Sequence, residues 1–369
     1  MYVLCHLDEN MTITARWGII GTGIIAARFA EGLADAPGAE LTAVASRSRS
    51  RAETFAATFG ARKAHESYEA LAADAEVDIV YVATPNFDHR ASALMMLEAK
   101  KAVVCEKPFA LDAAEASEVI SAARRHRVFC MEAMWMRFIP AVRELVDRVR
   151  DGALGEVRGA TIELGHRTRF DAEHRLFAPR GGGALLDLGV YTVSLAQWLF
   201  GAPNRVQSQA SFAANGVDEH VTALLAHDGA RQSAIGASLR TQMSNDAVVF
   251  GTQALAHLHE PLYRPHRLTI ARTPALAQTR PSNHGFAGGL RQSAILRALY
   301  RAARSAVPAS LRGNRSISRP YKGNGYQYEA IEAMRCLHEG QTESPLMKLD
   351  DTLRVMETLD AIRANWKNA

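Results

Sequence analysis

The sequence predicts an α/β fold in which a doubly wound parallel sheet occupies the first third of the chain and an α+β region with a mostly antiparallel sheet follows. Two observations support this prediction. Up to about residue 131, short apolar runs alternate strictly with helical stretches, which is typical of parallel strands joined by crossover helices. Beyond residue 136 the segments lengthen and often alternate in polarity, as antiparallel strands do, before two closing helices.

The individual elements follow from apolar periodicity and turn residues. In the first region the predicted strands are Arg16–Ile20, Leu41–Ala45, Asp78–Thr84, Ala102–Cys105 and Val128–Met131, and the predicted helices are Ala26–Ala34, Arg51–Phe59, Ser92–Glu98 and Ala113–His126. In the second region the predicted strands are Gly155–Gly165, Arg205–Ala213, Val221–His227, Arg231–Leu239, Asp246–Phe250 and Arg267–Ala271, and the closing helices are Tyr326–Glu339 and Asp350–Asn365. We therefore divide the chain into a dispensable extension (1–10), a first domain (11–135) and a second domain (136–369).

Composition excludes several classes of protein. The chain has 369 residues, 48% of them hydrophobic and 22% charged, which is ordinary for a globular protein of two domains. The four cysteines are too scattered for a disulfide framework or a zinc site, and they indicate a reducing, cytoplasmic location. The first residues lack the basic and apolar runs of a signal peptide, and no later stretch is long and apolar enough to predict a membrane span.

Charge is concentrated in one segment. Between Arg280 and Arg319 there are eight arginines and neither lysine nor acid, whereas the whole chain carries a net charge of only +4. The remainder gives no indication of nucleic-acid binding. We interpret residues 285–319 as a basic insertion peripheral to the chemistry, with Arg297, Arg301 and Arg304 on one helix face. It could cover a cleft, contact a partner subunit or an anionic surface, or be a solvated helix packed on the domain.

A glycine-rich turn follows the first strand and opens the first helix. It consists of Gly21, Thr22, Gly23, Ile24, Ile25 and Ala26. In such a turn the first glycine permits the tight bend, the second lets the backbone approach a pyrophosphate, and the small third residue allows close helix packing. A structural turn is the alternative. Because strand, helix and further βα units are all predicted, the motif favours a dinucleotide-binding Rossmann domain.

The end of the second predicted strand indicates which dinucleotide is bound. An acidic side chain there would bind the ribose hydroxyls of NAD. This chain instead has Ser46 and Arg47, with Arg51 close behind. These residues could hold the 2′-phosphate of NADP through charge-assisted hydrogen bonds. The alternative is a solvated basic loop; we predict NADP rather than NAD.

Polar residues also follow the third and fourth predicted strands, where parallel strands open onto the crevice of such a sheet. The first set is Thr84, Pro85, Asn86 and His89, and the second is Glu106, Lys107 and Pro108. A lysine at a buried strand end requires a role or a partner. The structural alternative for Lys107 is an ion pair with Glu106.

A third cluster lies in the second region, after three consecutive glycines that begin at Gly181. Asp187 and Tyr191 are four residues apart and therefore share one face of a predicted helix. A tyrosine in such a place is by itself more typical of a core residue with a satisfied hydroxyl. Only the combination with the other motifs points to chemistry.

Together these motifs resemble the glucose–fructose oxidoreductase, inositol dehydrogenase and rhizopine-catabolism (Gfo/Idh/MocA) family. The glycine turn, the Pro-Asn-x-x-His loop, Glu-Lys-Pro and the Gly-Gly-Gly…Asp-x-x-x-Tyr helix occur in that family's order. Further similar stretches are Glu132–Pro140, Gly323–Glu329 and Glu343–Pro345. Tyr191 stands where many members have histidine, and with Trp135 and Arg137 it resembles the branch of dimeric dihydrodiol dehydrogenases and NADP-dependent D-xylose dehydrogenases.

The resemblance implies a Rossmann domain, an open-faced sheet domain that often forms a homodimer, and roles for particular residues. Lys107 and Tyr191 become the catalytic pair, with Asp187 as a substrate-orienting neighbour. Asn86 and His89 would lie beside the nicotinamide ribose, and His174, Arg175 and Tyr326 would reach the substrate. The remaining cofactor contacts are expected at Gly21, Thr22, Gly23, Ile24, Ile25, Ser46, Arg47, Arg51, Thr84, Pro85, Glu106, Lys107, Trp135 and Arg137. No metal is expected, since His257 and His259 have no evident third ligand.

The predicted activity is NADP-dependent hydride transfer to or from a secondary alcohol or carbonyl of a small sugar, polyol or trans-dihydrodiol. In this prediction the ammonium of Lys107 lowers the pKa of Tyr191 toward working pH. Two other hypotheses stay open: a regulator that senses NADP without catalysis, and a glycosidase-like enzyme that uses tightly held NAD. The sequence names neither the substrate nor the physiological direction.

Overall fold

Two sheets, each with its own helices, form the fold in a computed structural model that describes residues 13–273 and 314–366. The proposed extension 1–10 and most of the basic segment 285–319 lie outside the described residues. Within the described part of the chain, no helix is long and apolar enough to cross a membrane.

The first sheet is entirely parallel. Its strands are β1 (Ala15–Ile20), β2 (Ala39–Ala45), β3 (Lys63–His65), β4 (Ile79–Val82), β5 (Ala102–Glu106) and β6 (Cys130–Ala133), and its helices are α1 (Ile24–Leu33), α2 (Arg49–Phe59), α3 (Tyr68–Ala72), α4 (His89–Glu98) and α5 (Ala113–His126). The strand order is β3-β2-β1-β4-β5-β6, so the winding direction reverses between β1 and β4. A ligand crevice opens at such a reversal. The Rossmann prediction is confirmed; β3 and α3 are too short to produce a periodic signal.

The second sheet has eight strands and is mostly antiparallel, as predicted. Its strands are β7 (Val157–Gly165), β8 (Arg205–Phe212), β9 (Asp218–His227), β10 (Arg231–Ser238), β11 (Ala247–Gly251), β12 (Ala254–Leu258), β13 (Arg267–Arg272) and β14 (Asn314–Ser318), and its helices are α6 (Pro140–Arg150), α7 (Val190–Phe200), α8 (Gln327–His338) and α9 (Leu349–Trp366). The order is β14-β13-β12-β11-β7-β10-β9-β8, and only β7 and β10 run parallel.

One boundary of the sequence interpretation was wrong. Strand β14 falls within the segment 285–319, which we interpreted as a peripheral insertion, and it pairs with β13 at the edge of the second sheet. Arg319, directly after β14, donates a hydrogen bond to Glu144 of α6 at 2.9 Å. The end of the basic segment therefore belongs to the framework of the domain. Its short polar run, Asn-Arg-Ser-Ile-Ser, carries little strand signal.

Only one face of the second sheet is buried. Along β9 the buried side chains are Val221, Ala223 and Leu225, while Leu224 between them is exposed. Strict alternation of this kind indicates one face against the core and one face away from it. Helices α6, α7 and α9 contact the strands of this sheet and supply the core.

Asp74 is the centre of a buried polar cluster that ties β3 to the end of α3. Burial would raise the pKa of this carboxyl, but the N–H of Glu76 and the side chains of Lys63 and His65 outweigh burial and lower the pKa to about 2. The Asp74 side chain is only 6% exposed, and it accepts from Lys63 Nζ at 3.0 Å and from His65 Nε2 at 2.9 Å. Because its pKa is lowered, the carboxylate stabilises the folded state at pH values above its ordinary pKa of 3.8.

We therefore expect Asp74→Asn to lower the free energy of unfolding by about 1–2 kcal/mol at neutral pH, allowing for solvent screening around Lys63. The deficit should shrink as pH falls from about 4 toward about 2, where the wild-type carboxyl protonates. Urea denaturation of both proteins across this pH range measures the difference in the free energy of unfolding. Glu76→Gln is the control, because Glu76 also pairs with Lys63 but is half-exposed. An Asp74→Asn deficit independent of pH would contradict the assignment.

Candidate active site

The glycine turn forms the floor of the crevice between β1 and α1. Gly21 has a φ of +97°, and a Cβ added there would lie 2.4 Å from the carbonyl oxygen of Ala83. The N–H of Gly21 also donates to the Ala45 carbonyl at 3.0 Å, which fixes the turn between β2 and β4. Only glycine fits this position without strain, as the motif predicts.

The next glycine differs from Gly21 because its surroundings are open. A Cβ added at Gly23 would have no protein atom within 4 Å, and its φ of −84° is accessible to any residue. Gly23 caps α1 without a side-chain hydrogen bond, so the first N–H groups of the helix remain available. The neighbouring Ile24 is 80% exposed. An uncapped helix N-terminus beside open space fits the pyrophosphate of a dinucleotide.

These two glycines make a matched test. Gly21→Ala should destabilise the fold by about 1–3 kcal/mol, because it forces a positive φ and a backbone clash. Gly23→Ala should leave the free energy of unfolding within about 0.5 kcal/mol of wild type, yet lower NADPH affinity at least about tenfold, because the methyl group occupies the place of the pyrophosphate. Thermal denaturation and fluorescence titration with NADPH measure both effects. Unchanged NADPH affinity in Gly23→Ala would show that the dinucleotide does not pass over this turn.

Two guanidinium groups lie at the carboxyl end of β2 without acidic partners. Among the described residues, no carboxylate forms an ion pair with Arg47 or Arg51, whereas neighbouring Arg49 pairs with Glu53 at 2.9 Å. Arg51 donates to the carbonyl oxygen of Thr22 at 3.5 Å, which ties the basic loop to the glycine turn. Ser46 is buried beside Thr22, with 3.5 Å between their hydroxyl oxygens. This donor set fits an anionic group such as a 2′-phosphate.

The Thr84–His89 loop and the Glu-Lys-Pro turn are joined through a buried histidine. One ring nitrogen of His89 lies 3.0 Å from the Thr84 carbonyl oxygen, and the other lies 2.8 Å from the carbonyl oxygen of Pro108. Burial lowers the pKa of His89. The resemblance implies that His89 lies beside the nicotinamide ribose, but both of its ring nitrogens are directed at backbone. His89 therefore fixes the turn that carries Lys107.

Asn86 connects the two domains. Its amide Nδ2 donates to the Gly181 carbonyl at 2.5 Å, and a Cβ added at Gly181 would lie 2.1 Å from Asn86 Oδ1. Arg180 places its guanidinium over the ring of Phe87, 5.6 Å from the centroid. These contacts hold the glycine loop of the second domain against the edge of the first sheet.

Lys107 reaches across the cleft to the second domain. Its Nζ donates to the Asp187 carbonyl at 2.9 Å, lies 3.6 Å from Asp187 Oδ1, and lies 4.8 Å from the ring centroid of Tyr191. The alternative of an ion pair with Glu106 is wrong, because Glu106 accepts instead from the Tyr81 hydroxyl and from the backbone N–H of Lys107. The three predicted catalytic residues, Lys107, Asp187 and Tyr191, therefore form one cluster.

Asp187 is held in its ionised form by two cations. Burial would raise its pKa, but Lys107 and Arg175 outweigh burial and lower it. Arg175 donates to Asp187 Oδ1 at 3.1 Å, while most of its side chain stays exposed. His174 is also exposed, and its Nδ1 accepts from the N–H of Leu176 within its own turn. Of the two predicted substrate contacts in this loop, only Arg175 joins the cluster.

Tyr191 is buried and receives a hydrogen bond from Trp135, whose indole Nε1 lies 2.8 Å from the phenol oxygen. Burial, and then the charge of Glu106, raise the pKa of Tyr191 well above its ordinary value. Our expectation that Lys107 lowers this pKa toward working pH is therefore wrong in this arrangement. The ammonium faces the ring rather than the hydroxyl. Tyr191 is accordingly a neutral phenol, which is a proton donor.

Aromatic rings cluster beside Tyr191. Trp135 stacks on Tyr326 with 4.5 Å between ring centroids and an angle of 11°. Tyr263, between β12 and β13, lies 5.7 Å from Trp135 and 6.3 Å from Tyr191, and His166 meets its edge at 6.1 Å. Sequence reasoning missed Tyr263 and His166, because neither belongs to a motif or lies near one along the chain.

Arg137 does not join the crevice, although we expected it among the cofactor contacts. It is completely buried, and its guanidinium donates to Ser194 Oγ at 3.0 Å, to the Ser194 carbonyl at 3.2 Å and to Asp351 at 3.3 Å. These partners lie on α7 and α9. Arg137 therefore connects those two helices.

The histidines of the second sheet also have protein partners. His257 lies 2.6 Å from Asp246 Oδ2, and His259 lies 2.8 Å from Thr269 Oγ1. Across the described ranges 13–273 and 314–366, no group of three or more metal-ligating side chains is present.

Comparison with known proteins places the chain in a family. Residues 15–134 match "Oxidoreductase family, NAD-binding Rossmann fold" of the Gfo/Idh/MocA group, and residues 142–257 match its C-terminal domain. The chain is 33% identical to the trans-1,2-dihydrobenzene-1,2-diol dehydrogenases of Macaca fascicularis and Mus musculus, over 94% of this chain and 96% of each relative.

Solved structures share the fold at lower identity. The 3-ketoreductase KijD10 from Actinomadura kijaniata, in complex with NADP and TDP-benzene, superposes with a TM-score of 0.75 at 24% identity. Aldose-aldose oxidoreductase from Caulobacter crescentus, complexed with glycerol, gives 0.77 at 22% identity. Each comparison covers 96% of this chain and 98% of the other. With two matched domains and relatives that align along almost its whole length, the chain belongs to the Gfo/Idh/MocA oxidoreductase family.

Proposed function

We propose that this protein is an NADP-dependent oxidoreductase that interconverts a secondary alcohol and its carbonyl on a small sugar, polyol or trans-dihydrodiol. The observation that carries the proposal is the meeting of Lys107 with Asp187 and Tyr191 across the cleft. The first lies at the end of a Rossmann strand and the others come from the second domain. A cation, a neutral phenol and a carboxylate are thereby placed together beside a dinucleotide crevice.

Each residue of this cluster has a chemical part in the reaction. The nicotinamide, when bound, supplies or accepts the hydride. As a carbonyl carbon gains the hydride, the electron pair of the C=O bond moves to oxygen, and Tyr191 donates its proton there. Lys107 stabilises the negative charge that develops on that oxygen. Asp187 holds the ammonium in place through its backbone and side-chain oxygens.

The preference for NADP rests on the guanidinium groups at the end of β2. Arg47 and Arg51 have no acidic partner in the described part of the chain, and the position that would carry an acid for NAD is occupied by Ser46. Two cations without a carboxylate partner in the described residues, one of them bonded to the glycine turn, are suited to a phosphate rather than to a ribose diol. This arrangement disfavours the glycosidase-like hypothesis, which uses NAD.

The side chains around the cluster support the proposed substrate class. Trp135, Tyr263 and Tyr326 form an aromatic cluster beside Tyr191, and Arg175 and Lys107 provide donors for hydroxyl or carbonyl oxygens. Rings that carry hydroxyl groups match such a mixture of faces and donors. The curated relatives named above act on a dihydrodiol of this description, according to their names.

A substrate panel tests the proposal. Sugars, inositols, open-chain polyols and trans-dihydrodiols are incubated with NADP⁺ or NAD⁺, and the corresponding carbonyl compounds with NADPH or NADH, while cofactor absorbance is followed. We expect turnover with at least one of these compounds and a higher kcat/KM with the phosphorylated cofactor. Tight NADPH binding without turnover across the panel would favour the sensor hypothesis, and hydrolysis of a glycoside with NAD would favour the glycosidase-like one.

We also propose a homodimer through the outward face of the second sheet. Leu224 is 56% exposed there, and cross-strand pairing continues from it through Ala234 and Thr161 to Val248. Phe250 on β11 is exposed as well. A broad, weakly polar sheet face is suited to burial against a second copy of itself.

Leu224→Glu is therefore expected to convert a dimer into a monomer in sedimentation velocity, because it would place an unpaired charge in the interface. Ile24→Glu, which changes an exposed apolar residue of the first domain, should leave the assembly unchanged. A Leu224→Glu variant that sediments like wild type would refute this interface.

A further inference from the structure

Trp135 stands out among the residues near the proposed acid because its only polar group is directed at the reacting hydroxyl. Its indole N–H donates to the Tyr191 oxygen at 2.8 Å. An indole nitrogen can only donate, so this contact has a fixed direction. The phenol oxygen of Tyr191 therefore acts as an acceptor at this site and keeps its own hydrogen for another partner.

The position of the indole is fixed on several sides. Trp135 begins a short 3-10 turn directly after β6 and is almost completely buried. One ring face stacks on Tyr326, and a Cβ added at Gly325 would lie 3.1 Å from the indole ring. Tyr263 lies 5.7 Å away. The indole therefore has little freedom to rotate away from Tyr191.

We propose that Trp135 is a positioning residue for the proton transfer. It acts through the hydroxyl of Tyr191 and not on the cofactor, although the resemblance implied a cofactor contact. With the indole N–H donated into one acceptor site of the phenol oxygen, the hydroxyl hydrogen must point elsewhere, which leaves it for the substrate oxygen. When Tyr191 gives up this proton in carbonyl reduction, the phenol becomes a phenolate. The N–H remains bonded to the negatively charged oxygen until the phenolate recovers a proton from water.

The proposal rests on the function proposed above. The size of the expected effect on kcat follows from the negative charge that develops on the Tyr191 oxygen. A hydrogen bond to a charged group is stronger than one to a neutral group. The indole therefore contributes more in the transition state than in the ground state, which is the condition for an effect on kcat. Removing it should lower kcat by about ten- to a hundredfold while KM and NADPH affinity change little.

The test is a double-mutant cycle with Trp135→Phe and Tyr191→Phe. Phenylalanine keeps an aromatic ring at residue 135 and removes only the donor. If the indole acts through the hydroxyl, Trp135→Phe should change kcat by no more than about twofold in the Tyr191→Phe background. If Trp135 had a merely structural role, Trp135→Phe would lower kcat by the same factor in both backgrounds. Single-turnover rates at high enzyme concentration resolve the slow variants.

Three further measurements complete the test. Trp17→Phe is the matched control, because Trp17 is equally buried and its N–H has no partner in the described residues; it should leave kcat unchanged. Trp135→Leu also lacks a donor and replaces Trp135→Phe should that variant not fold. In the direction of alcohol oxidation, loss of the donor should move the rising limb of the pH–rate profile to higher pH, since the phenolate is then less stable.

The failures are distinguishable. Normal kcat in Tyr191→Phe would refute the assignment of the proton donor in the proposed function. A large effect of Tyr191→Phe combined with wild-type kcat in Trp135→Phe, or with equal losses in both backgrounds, would overturn the positioning role alone.

Discussion

Tyr191→Phe and Lys107→Met should each lower kcat by about 10²–10⁴ while leaving NADPH affinity nearly unchanged. The first variant removes the only proton on the phenol oxygen, and the second removes the cation that stabilises charge on the substrate oxygen. Neither residue lies at the glycine turn or near Arg47, so cofactor binding should persist. Steady-state kinetics and NADPH titration of the same preparations measure the two effects.

The double variant should lose much less than the product of the two single losses, because the two residues act on the same oxygen. Tyr328→Phe is the control; it removes a phenol hydroxyl outside the cluster. Burial and Glu106 raise the pKa of Tyr191. The rate of carbonyl reduction should therefore not fall through ionisation of Tyr191 below about pH 10. Near-normal kcat in Tyr191→Phe at every pH would mean that another group delivers the proton.

The second large effect concerns the choice between cofactors. Arg47→Ala should weaken NADPH binding by about tenfold to a hundredfold and barely alter NADH binding. The reason is that a charge-assisted contact to the 2′-phosphate is lost, and NADH does not carry that group. Isothermal titration with both cofactors measures the ratio directly.

Arg49→Ala supplies the matched control. Arg49 is two residues away and equally basic, but it is already paired with Glu53 and lies near Glu66. Its loss should leave both affinities unchanged, which separates a specific contact from a general change in charge. Equal weakening of NADPH and NADH by Arg47→Ala would contradict the assignment.

The first domain could be predicted almost completely because its signals are local. A helix such as α5 has amphipathic periodicity, an Asp112 cap and basic residues in its last turn, and its predicted bounds agree with the structure. Gly21 could be predicted for the same reason, since a positive φ in a tight turn requires glycine. The second domain was predicted less well: β12 and β14 have only five residues each, and the amphipathic helix α6 was missed although its pattern is clear.

The site could be predicted only in part, because its geometry depends on contacts between distant segments. Sequence spacing placed Asp187 and Tyr191 on one helix face, but it could not show that Lys107 meets the ring of Tyr191 rather than its hydroxyl. Nor could it show that Trp135 donates to that hydroxyl. Burial, which reverses the expected direction of the Tyr191 pKa shift, is likewise a property of the whole fold.

Isotopic labelling of the cofactor can follow the hydride from the nicotinamide to the substrate carbon. A carbonyl substrate found in the panel is reduced with NADPH that carries deuterium at the transferable position of the nicotinamide, and the alcohol is analysed by mass spectrometry and NMR. We expect one deuterium on the carbinol carbon, with a hydroxyl hydrogen that comes from solvent. Turnover that leaves the alcohol carbon free of deuterium would contradict this expectation.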